Sequence, residues 1–195
     1  DGSSSSSSLR LTSTAAEQKL GLTVSREQAD ALNRVRAQAS YEDADTALTA
    51  SVGRENQRMI GGVNAKQSFA SGASLSGGVN LDGSSLTGFV GGRVRRGEGH
   101  MAGATLTHAR ARDGGSSDTS LALFDESDAR KLGLSAAIGE ANGQRRFRLN
   151  GTYSDQDTDI AGTLSRDNGA WGGSLTASQR WAAGHSMSAK LGAGA

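Results

Sequence analysis

Ala73-Ser74-Leu75-Ser76-Gly77-Gly78-Val79-Asn80-Leu81-Asp82-Gly83 is the stretch on which the fold turns. Ala73, Leu75, Val79 and Leu81 fall on alternate positions, with Ser74, Ser76, Gly78 and Asn80 between them. Successive side chains of a strand point to opposite faces, so this alternation describes a strand with one apolar face and one small polar face. Asp82-Gly83 then supplies the two positive-φ positions of a type I′ hairpin turn, and Leu86, Val90 and Val94 begin the next run.

The pattern extends outward in both directions. Toward the N-terminus lie Leu20, Leu22 and Val24; Val35, Ala37, Ala39 and Tyr41; Leu48, Ala50 and Val52; and Val63, Ala65 and Phe69. Toward the C-terminus lie Ala102, Ala104 and Leu106; Leu121 and Leu123; Leu132 to Ile138; Phe147, Leu149 and Tyr153; Ile160 and Leu164; Trp171, Leu175 and Ala177; and Met187, Ala189 and Leu191. Arg96-Gly97, Asp113-Gly114-Gly115, Asn142-Gly143 and Asn168-Gly169 punctuate these runs. No helix-length crossover separates them, so each strand is expected to pair antiparallel with the next. The reading is all-β: an antiparallel up-and-down meander of about 13–14 short strands forming a barrel or a two-sheet sandwich. An open meander could also complete itself against other copies of the chain. Residues 1–8 read as a flexible Gly/Ser leader and residues 9–195 as a single antiparallel β domain.

One segment carries a competing signal. Ser25-Arg26-Glu27-Gln28 fits a capping box, and Leu32, Val35 and Ala39 sit at helical spacing. The alternation from Val35 to Tyr41, shared by both flanking runs, favours strand over helix for residues 26–40.

Composition narrows the function classes. The 195 residues include 28 Gly and no Pro. Proline cannot donate to a ladder, so its absence suits a chain that pairs along most of its length, and it also removes a guard against edge-to-edge association. Hydrophobic content is 35% and aromatic content 4%, so any core would be thin and rich in Ala, Leu and Val. Basic and acidic residues number 21 and 20, which leaves no global field that argues for nucleic acid or a membrane surface. Without cysteine there is neither a disulfide framework nor a thiolate metal site. No run approaches the roughly 18 apolar residues of a transmembrane helix. The chain opens on Asp1 without a signal peptide, as a processed, secreted product would. A membrane-spanning barrel fits less well, because its lipid face should be dense in Leu, Val and Phe with aromatic girdles, whereas here that face often carries Ala or Gly.

No arrangement of side chains selects a catalytic centre, and no cofactor is expected. His100 and His108 share one face of one run, but a zinc site needs three or four convergent ligands and His185 lies far along the chain. Asp155-Gln156-Asp157-Thr158-Asp159 starts like a calcium loop; Ile160 then stands where glycine belongs and no Glu follows at the twelfth position, so an acidic turn is the better reading. Many serines are present, yet there is no G-x-S-x-G elbow and no phosphate-cradling glycine loop. Arginine clusters are the best candidates for contacts: Arg93, Arg95 and Arg96 in one run, Arg145, Arg146 and Arg148 in another. On neighbouring strands they could grip phosphate or carboxylate groups; the plainer alternative is cross-strand pairing with acids of the same sheet.

Gly99-His100-Met101-Ala102-Gly103-Ala104-Thr105-Leu106-Thr107-His108, the strand Leu121-Ala122-Leu123-Phe124-Asp125 and the run Lys131-Leu132-Gly133-Leu134-Ser135-Ala136-Ala137 together resemble the attacin family of glycine-rich arthropod immune proteins. Gly184-His185-Ser186-Met187-Ser188-Ala189 echoes the same module. The resemblance is best over residues 99–140. It departs from the family in lacking proline between strands and in placing Asp125, Glu126, Ser127 and Asp128 where a histidine is expected. It implies a secreted, extracellular, non-enzymatic defence protein that binds the bacterial envelope through lipopolysaccharide, with Arg93, Arg95, Arg145 and Arg148 meeting lipid phosphates. The alternative from a different class is a structural protein whose sheets self-assemble into a homo-oligomer or filament, as fibre, coat or adhesive material. Low net charge and small flat strands favour such stacking.

Overall fold

The computed structural model describes residues 4–29, 32–180 and 186–194. Fourteen strands fill nearly all of them: β1 (Ser5–Ala15), β2 (Gln18–Ala29), β3 (Leu32–Glu42), β4 (Thr46–Glu55), β5 (Arg58–Ser68), β6 (Ser74–Asp82), β7 (Ser85–Arg95), β8 (Met101–Ala111), β9 (Ser116–Glu126), β10 (Arg130–Ala141), β11 (Gln144–Asp155), β12 (Thr158–Asp167), β13 (Ala170–Arg180) and β14 (Ser186–Gly194). They form one continuous sheet in chain order, each strand hydrogen-bonded to its sequence neighbours. The antiparallel meander is therefore the observed architecture.

The chain divides into two compact units, Asp1–Val90 with Ala109–Asp113, and Gly91–His108 with Gly114–Ala195. A single domain over 9–195 was the expectation. The alternation is uniform along the chain, so no change of composition marks a boundary. β1 also starts at Ser5, inside the stretch expected to be a flexible leader. Ser5 to Ser8 pair with Gln28 to Ser25, and backbone hydrogen bonds need no apolar side chain to form. The helical signature around residues 26–40 yields to the ladder: Arg26, Glu27 and Gln28 pair with Val35, Arg34 and Asn33.

In the first unit one apolar row runs Leu9–Val24–Ala37–Val52–Gly61–Leu81 across β1 to β6. In the second, a comparable row runs Leu123–Leu134–Gly151–Gly162–Leu175–Leu191 across β9 to β14. These rows display the leucines and valines instead of hiding them. Among the described residues no hydrophobic side chain is buried, and Leu9, Val63, Ile138 and Leu191 are 61%, 52%, 63% and 68% exposed. The thin core expected from composition is not formed, because no second layer of described strands covers the apolar face.

The opposite face is mostly polar; register also places Leu32 and Ile60 on it, together with two phenylalanines whose orientation has a local cause. Phe89 and Phe124 turn toward it and lie over glycines of the preceding strand. A Cβ on Gly78 would stand 2.9 Å from Phe89 Cε1, and one on Gly103 would stand 2.5 Å from Phe124 Cε1. The rings shield backbone that a glycine leaves bare.

Short turns after the even-numbered strands use left-handed backbone. Asn142-Gly143 and Asn168-Gly169 have φ of 53° and 76°, and 48° and 88°. Asn56-Gln57 adopts the same geometry at 44° and 76°, with a side chain where the turn favours glycine. Gln57→Gly should therefore stabilise the β4–β5 hairpin by about 1 kcal/mol. Reversible urea unfolding of wild type and variant checks this, with a higher midpoint and unchanged slope as the expected outcome.

Candidate functional site

Register assigns five of the six arginines in the two sequence clusters to a face. Arg93 and Arg95 stand on the polar face of β7, in phase with Gly91, whose Cβ direction meets Thr105 Oγ1 at 2.8 Å. Arg96 follows the strand, and its backbone N–H donates to the His100 carbonyl at 2.8 Å, closing the turn. Arg93 is already engaged. On β11 the cluster splits: Arg146 and Arg148 share the polar face with Asn150, whereas Arg145 lies on the apolar face with Phe147 and Leu149. β8, β9 and β10 separate β7 from β11, so the two clusters do not meet on neighbouring strands as one patch.

The polar face satisfies much of its charge across strands. In the first unit, the Arg34 guanidinium lies 2.5 Å from Glu55 Oε2 and 3.5 Å from Glu27 Oε2. In the second, Lys131 Nζ is 2.6 Å from Glu126, Arg146 Nε is 3.7 Å from Asp167, and Arg180 is 2.8 Å from Asp159. Amide and hydroxyl pairs fill the rows between. Asn64 and Asn80 exchange two hydrogen bonds of 3.1 Å, Asn150 donates to Ser135 at 3.2 Å, and Thr163 and Ser174 lie 2.9 Å apart. These groups are half exposed, so each ion pair contributes little to stability, about 0–1 kcal/mol. Their joint effect is a wettable surface with near-balanced charge.

The histidines do not converge. His100 Nε2 sits 3.0 and 3.1 Å from the two Asp125 oxygens, while His108 Nδ1 sits 2.8 Å from Thr119 Oγ1. His185 lies outside the described residues. No group of three metal-ligating side chains occurs among the described residues.

The calcium-like stretch is a turn in which the Asp155 and Asp159 carboxylates already have partners. Asp155 Oδ1 accepts from the backbone N–H of Asp157 at 2.9 Å and of Thr158 at 2.7 Å, and the Tyr153 hydroxyl donates to Oδ2 at 2.5 Å. Asp159 accepts from Ser154 and pairs with Arg180. The β3–β4 turn repeats this construction. Asp43 Oδ1 accepts from Asp45 and Thr46 N–H at 2.9 and 2.6 Å, and the Tyr41 hydroxyl donates to Oδ2 at 2.6 Å. The two sites share the pattern Tyr-x-Asp-x-Asp-Thr, at 41–46 and 153–158. Comparing the chain with itself would have exposed this repeat, which the residue-by-residue reading missed.

The apolar face carries two further features. In the second unit a hollow of about 680 Å³ has Gly151 and Gly162, cross-strand partners, as its floor; Leu134, Leu149, Leu164 and Leu175 are among its walls. The borders of this face also differ in charge at the two strand ends. Beside the turns that follow odd-numbered strands stand Asp43 in the first unit, and Asp125, Asp155 and Arg130 in the second. Beside the short turns at the other end stand Arg26 and Arg54 in the first unit, and Arg145, Arg166 and Glu140 in the second. The Arg166 guanidinium lies over the Trp171 ring, 5.4 Å from its centroid, a cation–π contact. Parity counting against Leu164 and Val24 would have placed Arg166 and Arg26 on this face; the sequence reading followed clusters of arginine and overlooked single ones.

No protein-family model matches the chain, and no curated protein does. Solved structures do: a triple mutant of the Rhodopseudomonas blastica porin, over 99% of this chain and 86% of that one, at 15% identity and a TM-score of 0.44. A structure titled "Asymmetric conductivity of engineered proteins" matches over the same shares at 15% identity and a TM-score of 0.43. At these values the likeness carries no information about what the chain does.

The Asp43 turn makes a pH prediction. The hydrogen bond from Tyr41, then those from the Asp45 and Thr46 amides, hold the Asp43 carboxyl below its ordinary 3.8. A depressed carboxyl stabilises the fold above its unfolded value and loses that contribution as pH falls through the folded value. Protection of the Thr46 amide from hydrogen exchange, corrected for intrinsic rate, should be constant from neutral pH down to the ordinary carboxylate range and drop below it. In Asp43→Asn that drop should be absent.

Proposed function

We propose that this chain is a membrane-embedded β-sheet protein whose apolar face lies against lipid and whose polar face lines a water-filled passage. One observation carries the reading: among the described residues register puts the Leu, Val and Ile side chains on one face, Leu32 and Ile60 excepted, and none is buried. Soluble monomers rarely leave contiguous apolar patches larger than a few hundred Å², whereas here the apolar rows of the second unit continue from β9 to β14. Hydrocarbon is the solvent in which such a face has no cost.

Element lengths support the same solvent. The strands run from 9 to 12 residues, and a tilted strand needs about 9–11 to cross a bilayer. Along β10 the apolar positions extend from Leu132 to Ile138, and along β11 from Phe147 to Tyr153. Phe147 and Tyr153 close that band at its two ends, where aromatic side chains favour the membrane–water boundary. No helix among the described residues is long and apolar enough to cross a membrane, which bears on helices alone. Backbone groups in hydrocarbon must all be paired, so no edge of a membrane-embedded sheet can stay open to lipid. The frequent Ala and Gly that counted against a membrane barrel in the sequence lower the hydrophobic density of the face without placing charge in its middle.

The two expectations drawn from the sequence use the same surface. A self-assembling fibre would cover the apolar face with a second sheet in place of lipid. An attacin-like secreted protein would need that face covered until it met the envelope and its lipopolysaccharide. Chain diluted from urea into buffer or into phosphatidylcholine vesicles separates these readings. Insertion should give protease-resistant protein that floats with vesicles and produces discrete conductance steps in a planar bilayer. Filaments in buffer with no insertion would contradict the proposal and favour the fibre.

Face-specific substitution sharpens the test. Leu134→Arg should reduce insertion by about 2–4 kcal/mol, the cost of arginine near the bilayer centre. Ser135→Arg, on the opposite face of the same strand, should change insertion little. Equal effects of the two, measured by vesicle flotation, would contradict the assignment of faces.

A further inference from the structure

At the short-turn end of the first unit, Arg26, Asn33, Val35, Arg54, Asn56 and Gln57 line a hollow of about 640 Å³ with no acidic side chain in its wall. Register builds it. Arg26 and Arg54 both stand directly opposite Val35, one from β2 and one from β4, so the two guanidinium groups flank β3 on the apolar face. Among the described residues, the acids next to them in these hairpins, Glu27 and Glu55, lie on the other face. Glu27 and Glu55 are taken by Arg34, which sits 2.5 Å from Glu55 and 3.5 Å from Glu27. The hydrogen bond that Arg26 makes is to the neutral Gln28 amide, at 3.2 Å. Elsewhere in the same hairpins arginine and acid find each other across strands, yet here two cations share a hollow with carboxamides.

We propose that this hollow binds the phosphate of an anionic phospholipid headgroup. The inference rests on the membrane reading above and adds a ligand and a site to it. The chemistry is complementary: two forked guanidinium donors border the hollow, and no carboxylate among its lining residues repels an anion. The surroundings suit a lipid, not a free anion, because the hollow opens onto the apolar face. Down β3 the same face continues as Val35, Ala37 and Ala39, bordered by Val24 and Leu22 on β2 and by Val52 and Ala50 on β4. Small alanines between larger neighbours leave a shallow trough for an acyl chain leading away from the headgroup.

The test compares insertion into vesicles of phosphatidylcholine alone with vesicles containing one part phosphatidylglycerol in about three, at low salt. Wild type should prefer the anionic vesicles. Arg26→Gln/Arg54→Gln should lose about fivefold of that preference per arginine, on the order of twentyfold together, while still entering neutral vesicles, which shows that it folds. Arg10→Gln/Arg36→Gln removes the same charge from the polar face of the same unit and should keep the preference. Inorganic phosphate at matched ionic strength should not displace it. Equal loss in both double variants, unchanged preference in Arg26→Gln/Arg54→Gln, or displacement by inorganic phosphate would overturn the lipid site and leave the membrane reading standing. Failure of wild type to enter either kind of vesicle would overturn both.

Discussion

Period-two alternation combined with nearest-neighbour pairing is the constraint behind everything else in this molecule. Each strand bonds to the strands beside it in sequence, and side chains project alternately to two faces. A face of Leu, Val and Ile is then produced strand after strand, with no crossover segment to bring a covering layer onto it. The absence of buried apolar side chains among the described residues follows from that connectivity. So does the contrast between faces. Charged groups collect on the polar side, where partners stand directly across the ladder, as Arg34 does between Glu27 and Glu55.

Turn chemistry adds an asymmetry along the strands. The even-numbered strands end in tight turns such as Asn142-Gly143 and Asn168-Gly169, which use left-handed backbone at both central residues. Longer connections follow some odd-numbered strands, for example around Phe69 to Gly72 and Arg96 to His100, closed by backbone hydrogen bonds of 2.8 to 2.9 Å, whereas β1 and β11 end in two-residue turns. Charges at the borders of the apolar face accompany this difference: in the first unit Asp43 at one strand end and Arg26 and Arg54 at the other, in the second Asp125, Asp155 and Arg130 at one and Arg145, Arg166 and Glu140 at the other. In a bilayer such borders meet headgroups, and arginine there meets phosphate.

How much of this was legible beforehand depends on the range of the signal. The strand at 74–82 could be read directly, because alternation is local, whereas the turn was expected one residue early: Asp82 ends β6, and the left-handed backbone falls on Gly83 and not on Asp82. The competing helical spacing at 26–40 was local too, and it lost because pairing of Arg26 with Val35 and of Gln28 with Asn33 stabilises the hairpin more than a capping box stabilises an isolated helix. The fate of the apolar face was not legible, since burial depends on whether a second layer exists. For the site, clustering of arginine was a poor guide. Arg145 and Arg146 are adjacent in sequence and stand on opposite faces, while Arg26 and Arg54, 28 positions apart in the numbering, flank the same valine.

Because the chain contains no cysteine, single cysteines can be placed along β10 from Leu132 to Gly139 and carry nitroxide labels in vesicles. Collision with lipid-soluble oxygen should peak at positions 132, 134, 136 and 138, and collision with a water-soluble nickel complex should peak at 133, 135, 137 and 139. Profiles that alternate in this opposed way are what a sheet with lipid on one side and water on the other must give. Profiles without alternation, or with water reaching both sets equally, would contradict the account.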